Sequence, residues 1–282
     1  MKNILVCPVC GKVLDKNEKS FVCDGKHSFD ISSKGYVNLL LSSHTNSKIP
    51  GDNKMMVMSR RDFLNKGYYR VLHEKLNETF IRYFPADGGV LLDAGCGEGY
   101  YTSGMADAAA KKNIRSDIIA ADISKYACGY AAKRLNAYRS ETLNISVITA
   151  SVFRLPAADG SVNVLTSLFA PFCREEFLRV LVPGGILIMV IPSADHLYSL
   201  KSAVYDRPYL NEKGDTEIDG FKLIEELTAD DDIHLGSHED IENLFSMTPY
   251  FYKTSREGHE RLEKLTELDT HIGFNILVYG RR

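Results

Sequence analysis

The chain has 282 residues, 44% hydrophobic and 25% charged, which fits one medium-sized catalytic domain and a small appendage. No apolar run approaches the roughly 18 residues a membrane span needs, and Ile4-Leu5-Val6 near the start is too short for a signal peptide. A soluble, cytoplasmic protein with no membrane partner is expected. The net charge of -3 conceals an asymmetry: residues 1–82 hold 14 Lys/Arg against 8 Asp/Glu, a net of +6, and the remainder is at -9. A basic front suggests contact with a polyanion, although solvated faces alone can produce such a split.

Residues 1–40 are rich in turn formers and metal-ligand types, and Pro50-Gly51-Asp52 is a turn signal. Apolar residues spaced three to four apart (Phe63, Leu64, Val71, Leu72, Leu76, Phe80) predict one helical stretch over 55–84, ended by Pro85 and Gly88-Gly89. From Val90 the pattern alternates. Strands are predicted over 90–93, 118–122, 145–150, 162–169 and 186–191, with helices over 99–112, 124–138, 175–181 and 196–205. Such alternation points to a parallel α/β sheet covered by helices on both faces. A helix over 259–267 and a strand over 272–279 allow an antiparallel final hairpin, whereas 206–232 resists assignment. The division expected is a metal-binding module at 1–42, a helical linker at 43–85 and a catalytic domain at 86–282.

Three of the six cysteines fall in the first 23 residues. Cys7-x2-Cys10 and Cys23-x3-His27 supply two chelating pairs, and three thiolates with one imidazole suit a tetrahedral zinc ion. Gly11 and Gly25 fall where tight knuckle turns form. Four ligands close the coordination shell, so the zinc is read as structural, holding a segment with too little core to fold alone. Lys12, Lys16, Lys19, Lys26 and Lys34 would then form a fixed basic surface. His44 lies too far along the chain to join the ligand set.

The most informative stretch is Leu91-Leu92-Asp93-Ala94-Gly95-Cys96-Gly97-Glu98-Gly99, a strand running into glycines that let the backbone turn sharply and approach a ligand. Dinucleotide dehydrogenases use a related loop. The D-x-G-x-G-x-G order here resembles motif I of class I methyltransferases, and this resemblance implies S-adenosyl-L-methionine held at Asp93, Gly95, Gly97, Glu98 and Gly99. Asp122, ending the next strand, stands where an acid grips ribose hydroxyls, or else caps the helix from Ser124. Ser151 occupies the adenine-edge position, where the pattern often has an acid.

The order of motifs narrows the resemblance. Cys7-Pro8-x-Cys10, Cys23-x3-His27-x-Phe29-Asp30, Gly35-Tyr36-Val37-Asn38-Leu39-Leu40, Pro50-Gly51-Asp52, Arg60-Arg61-x-Phe63-Leu64 and Gly67-x-Tyr69 are followed by Gly97-Glu98-Gly99-Tyr100-Tyr101-Thr102. Together they resemble the RlmA family, guanine-N1 methyltransferases of 23S ribosomal RNA. The resemblance implies a class I methyltransferase fold, Rossmann-like with a mainly parallel seven-stranded sheet, behind a small zinc-binding domain. It implies zinc on Cys7, Cys10, Cys23 and His27. It also implies cofactor contacts from Tyr69, Gly97, Glu98 and His196, and a target in a domain II hairpin of 23S RNA lining the exit tunnel. Two subfamilies modify neighbouring guanines, one being associated with resistance to tylosin-type macrolides, and the residues do not choose between them. By themselves, Tyr69 reads as a core aromatic and His196 as an ordinary helix-start residue.

Phe169-Ala170-Pro171-Phe172 occupies the place where amino-group methyltransferases carry a polar-Pro-Pro-aromatic motif, and its lack of the polar residue agrees with a ring-nitrogen target. Phe169 and Phe172 are candidates either for stacking on the target base or for simple core packing. Arg60 and Arg61 are candidates for phosphate contacts or for a solvated helix face. The competing functional classes are a zinc-bearing methyltransferase of a protein or small molecule, and a non-catalytic RNA-binding assembly factor. A homodimer is compatible with the sequence but not derivable from it.

Overall fold

A computed structural model describes residues 4–41, 50–212 and 214–282; His44 and the 42/43 boundary lie outside them. The front carries a three-stranded antiparallel sheet of β1 (Leu14–Lys16), β2 (Ser20–Cys23) and β3 (Ser28–Asp30). Then come β4 (Val37–Asn38), α1 (Lys54–Asn65) and α2 (Arg70–Tyr83). The catalytic body alternates as β5 (Gly89–Ala94), α3 (Tyr100–Lys111), β6 (Ser116–Asp122), α4 (Lys125–Leu135), β7 (Leu143–Thr149), β8 (Val162–Leu168), α5 (Arg174–Val180), β9 (Leu181–Pro192) and α6 (Tyr198–Val204). It closes with β10 (Phe221–Leu235), α7 (His238–Ser246), α8 (Tyr250–Lys253), α9 (Arg256–Leu262) and β11 (Leu268–Arg281).

The main sheet runs β10-β11-β9-β8-β5-β6-β7-β4. Seven strands come from the catalytic body, with β9–β8–β5–β6–β7 parallel and the β10–β11 hairpin antiparallel. The eighth, β4, belongs to the front and pairs parallel with β7. A second seam joins the same parts: Val6 N–H donates to Pro156 O (3.0 Å) and Ala158 N–H to Ile4 O (2.9 Å). The zinc-ligand segment is therefore hydrogen-bonded into the body. Its Leu5, Leu14, Phe21 and Val37 share one apolar cluster with Leu92, Ile119 and Ile148 on one face of the sheet. The other face is covered by α2, α3 and the C-terminal helices, with Leu72, Leu76 and Phe80 fully buried. Each such side chain contributes about 1.5–3 kcal/mol.

Three sequence expectations need correction. The single helix over 55–84 is two helices, broken at Gly67, whose φ of +83° a β-carbon disfavours. The break turns Tyr69 inward, where it is buried. The unassigned 206–232 stretch contains most of β10, an edge strand whose outward positions include Glu226, Asp230 and Asp231. Its charges suit an exposed edge, which they protect from pairing with other chains, and they mask the apolar alternation. Finally, a further helix not expected from the sequence pattern, α7, is capped by Ser237 and covers α1.

Candidate functional site

In the front, the donor atoms of Cys7, Cys10, Cys23 and His27 all lie within 4.8 Å of one another. Cys10 Sγ–Cys23 Sγ is 3.7 Å, Cys7 Sγ–His27 Nδ1 3.6 Å and Cys23 Sγ–His27 Nδ1 3.5 Å. Zinc–sulfur bonds of about 2.3 Å and zinc–nitrogen bonds of about 2.0 Å give tetrahedral edges of roughly 3.5–3.8 Å. These separations are thus the edges of a zinc tetrahedron, and the donor chemistry fits that ion. Gly25 is needed for closeness, since a β-carbon there would lie 3.1 Å from Cys10 Sγ and 3.3 Å from His27 Nδ1.

The second centre lies at the carboxyl ends of the parallel strands, around β5, where the strand order reverses. Ligands of open α/β sheets bind at such a crevice. Gly95, Gly97 and Gly99 follow β5 with φ of 93°, 56° and 84°. A β-carbon on Gly95 would fall 2.5 Å from Ala170 Cβ, and one on Gly99 3.1 Å from Ala131 Cα. One on Gly97 would meet only Arg60 Nη1, at 3.9 Å. The outer two glycines let the loop dock, and the middle one leaves room on the ligand side. Asp93 supports this loop from beneath. Its two carboxylate oxygens accept from Thr102 Oγ1 (2.5 Å) and Thr166 Oγ1 (2.8 Å), and burial pushes its carboxyl up to about 6.

Asp122 joins the loop to α4. Its Oδ2 accepts from Gly97 N–H (2.9 Å) and its Oδ1 from Ser124 N–H (2.8 Å). Each oxygen retains a second lone pair for a ligand hydroxyl. Ser124 caps α4, and its Oγ donates to Asp52 O (2.7 Å), which docks the Pro50–Asp52 turn beside Asp122. Glu98 is buried, 3.5 Å from Arg134 Nη2, and burial raises its carboxyl. Ser151 lies two residues beyond β7, where its Oγ accepts from Phe153 N–H (3.3 Å).

Arg60 is not on a free helix face. Its guanidinium donates to Asp52 Oδ2 (2.5 Å) and Met247 O (3.3 Å). Burial opposes its charge, but Asp52, Glu98 and Asp122 outweigh that and keep it protonated. It therefore sits over the glycine loop, inside the crevice. Arg61 turns the other way, pairing with Asp62 and lying 5.0 Å over the Tyr130 ring.

An aromatic wall closes the crevice. Tyr69 meets Phe274 edge-on at 4.9 Å, and His196 lies 4.8 Å from the same ring. His196 Nδ1 accepts from Gly273 N–H (3.2 Å), which assigns the proton to Nε2, 3.4 Å from Tyr69 Oη. Phe274 has no counterpart among the motif residues; only its place in an apolar strand marked it. Phe169 ends β8 with a φ of 54°, half exposed, its ring 5.8 Å from Phe274, while adjacent Ala170 touches Gly95. Phe172 points elsewhere, packing against Phe177 at 5.4 Å and Phe221 at 6.4 Å. The structure thus brings Phe169 to the crevice mouth and packs the half-buried Phe172 against the core.

Burial, reinforced by the charges of Lys201 and His271, holds the His196 imidazole down to about 3. An unfolded histidine titrates near 6.5, so the unfolded chain binds the extra proton first as pH falls. The stability from neutral His196 is full above about pH 6.5 and lost towards pH 3. Asp93 titrates with the opposite sign, so the check is a comparison of variants. Between pH 7 and 5, Tm should fall more for the wild type than for His196→Gln; parallel curves would contradict this.

Two family models match the chain. One, described as the RlmA N-terminal zinc ribbon, covers residues 5–48, and a methyltransferase domain model covers 91–185. A Streptomyces fradiae protein named 23S rRNA (guanine(748)-N(1))-methyltransferase is 31% identical over 201 residues, 71% of this chain and 67% of that protein. A Micromonospora griseorubida protein, provisionally named a 23S rRNA (guanine-N(1)-)-methyltransferase, is 34% identical over 214 residues, 70% of this chain and 68% of its own. The chain belongs to the RlmA family. It is a zinc-binding, S-adenosylmethionine-dependent methyltransferase. The fold is also that of a Bacillus halodurans C-125 crystal structure described as a methyltransferase, with TM-score 0.50 and 17% identity, covering 74% of this chain and 97% of that one. Among the described residues no helix of this RlmA member is long and apolar enough to cross a membrane.

Proposed function

We propose that this protein transfers a methyl group to N1 of a guanine in 23S ribosomal RNA, in the domain II hairpin near the exit tunnel, and works in the cytoplasm. The observation that carries this reading is the seam between the two centres. The zinc-ligand segment is bonded into the sheet whose strand ends form the crevice, so RNA gripped by the front is held at a fixed offset from the glycine loop. The family's guanine-specific relatives support the choice of base. The division at 1–42, 43–85 and 86–282 is retained as a functional one: grip, helical linker and chemistry.

When bound, S-adenosylmethionine supplies a methyl already activated on a sulfonium sulfur. The residues of this chain then bind, orient and exclude water. We assign Gly95, Gly97, Glu98 and Gly99 to the amino-acid end, Asp122 to the ribose hydroxyls and Ser151 to the adenine edge. Tyr69 and His196 close the opposite wall. His196 is neutral with its Nε2 protonated, so it orients the Tyr69 hydroxyl and does not take a proton. Guanine N1 carries a proton and is buried in a Watson–Crick pair, so the base must be unpaired or flipped out. Phe169 is placed to stack on it, holding N1 in line with the donor methyl while the N1 proton passes to solvent water at the crevice mouth.

Nucleoside mass mapping of 23S RNA with and without the protein tests the reaction. One 1-methylguanosine should appear only with it, and label found in protein instead would sink the reading. Phe169→Ala should lower kcat/KM about 10- to 100-fold, because base–aromatic stacking contributes about 1–3 kcal/mol, with cofactor affinity unchanged. Phe172→Ala should instead lower Tm. Wild-type kinetics for Phe169→Ala would remove the stacking role.

A further inference from the structure

One large cavity is remote from the glycine loop. A groove of about 740 Å³ runs between the β1–β2 hairpin, the turn before β4 and the flank of α4. Lys16 and Lys34 line it from the front, and Lys133 and Arg139 from the catalytic body; Glu18 is the one acidic residue among the described lining. Among the described residues none of the four cations takes part in an ion pair. Burial, and then the charge of Arg139, lower the Lys16 pKa, and burial lowers that of Arg139. Lys16, Lys34 and Lys133 are exposed and Arg139 is half-buried, and like charges gathered on one groove without a counter-ion cost free energy that an anion would return.

The backbone is adapted to this arrangement. Gly129, in the interior of α4, has Lys34 Cδ 3.0 Å and Lys34 Nζ 3.5 Å from where its β-carbon would stand. A glycine there costs about 1 kcal/mol relative to alanine, and here it lets the Lys34 side chain lie against the helix. Tyr130 lines the groove and carries the Arg61 guanidinium on its ring, and along α4 it stands about 8 Å from the N-terminal end of the helix beside Asp122.

We propose that this groove binds the phosphodiester backbone of the substrate RNA, threading it between the front and α4 and along Arg61 to the methyl-transfer crevice. The assignment rests on the functional reading above. In it the zinc-held front forms one wall of an anion channel whose other wall belongs to the catalytic body. A free nucleotide has the same phosphate chemistry and is the alternative source to be distinguished.

The test uses the full-length, zinc-loaded protein and an in vitro transcript of 23S RNA. Lys133→Gln with Arg139→Gln should weaken RNA binding about 10- to 100-fold at low salt. The slope of log affinity against log salt should flatten by about 1.4–1.8, or 0.7–0.9 for each lost phosphate contact. Calorimetric affinity for S-adenosylhomocysteine should not change, which reports an intact fold. Lys16→Gln with Lys34→Gln, on the opposite wall, should repeat the result and serves if the first pair fails to fold. An unchanged RNA affinity and slope in either folded pair overturns the groove. Displacement of bound RNA by millimolar GMP acting at these residues also overturns it, in favour of a nucleotide site. A wild type that neither binds nor methylates the transcript overturns the functional reading, and the groove with it.

Discussion

Cys23→Ser should abolish methylation of 23S RNA and lower Tm by about 10 °C or more, while leaving S-adenosylhomocysteine affinity within a few-fold of wild type. Three of the donor separations, Cys10–Cys23, Cys7–His27 and Cys23–His27, are 3.5–3.7 Å, distances that a zinc ion at the centre would span. Binding of a structural zinc is also folding free energy for a short segment, on the order of 10 kcal/mol in small zinc modules. Without it, Leu5, Leu14, Phe21 and Val37 lose their reason to stay against Leu92, Ile119 and Ile148. At about 1.5–3 kcal/mol each, even partial loss is several kcal/mol, which in a chain of this size lowers Tm by about 2–4 °C per kcal/mol. The glycine loop is anchored independently, through Asp93, Thr102, Thr166 and Asp122, so donor binding should survive. Removing zinc with a chelator should reproduce the effect and restoring it should reverse it. Full RNA activity in the serine variant would mean the front is dispensable. A joint loss of donor binding would mean that the seam along β4 and β7 carries the loop.

The contrast between these two centres explains what the sequence could disclose. Paired Cys/His spacings and a D-x-G-x-G-x-G run are short-range patterns with one chemical use, so Cys7, Cys10, Cys23, His27 and the three glycines were legible by position. Strand–helix alternation from Val90 likewise exposed the parallel sheet, because buried strands read as apolar runs. What failed was long-range. In sequence Arg60 reads as a phosphate contact or a solvated helix face, but Asp52 turns it into the crevice from eight residues upstream, and Met247 meets it from the far end of the chain. Phe169 and Phe172 are chemically the same in sequence; a left-handed backbone at Phe169, fixed as Ala170 packs on Gly95, separates mouth from core. The anion groove has walls about one hundred residues apart in the chain, and no local pattern marks it.

Asp122→Ala should weaken S-adenosylhomocysteine binding by roughly 30- to 1000-fold with only a modest fall in Tm, and its effect should be separable from that of the glycines. Asp122 accepts from two backbone N–H groups at once, one on the loop and one at the start of α4. Removing it leaves those donors unpaired, releases the loop and deletes the acceptor for the ribose hydroxyls. Truncating one partner of a buried, charge-assisted set costs about 2–4 kcal/mol in binding, hence the range. Gly97→Ala supplies the complementary result. Its β-carbon would enter space bounded only by Arg60 at 3.9 Å, so the folded chain tolerates it apart from about 1 kcal/mol of backbone strain. A donor lying against that backbone would not be tolerated, so affinity should drop while Tm barely moves. Gly95→Ala should do the reverse, because its β-carbon would collide with Ala170 at 2.5 Å and damage the fold before it touches any ligand. If Gly97→Ala binds the cofactor as tightly as wild type while Gly95→Ala unfolds, the loop is a purely structural turn, and the methyl donor sits elsewhere.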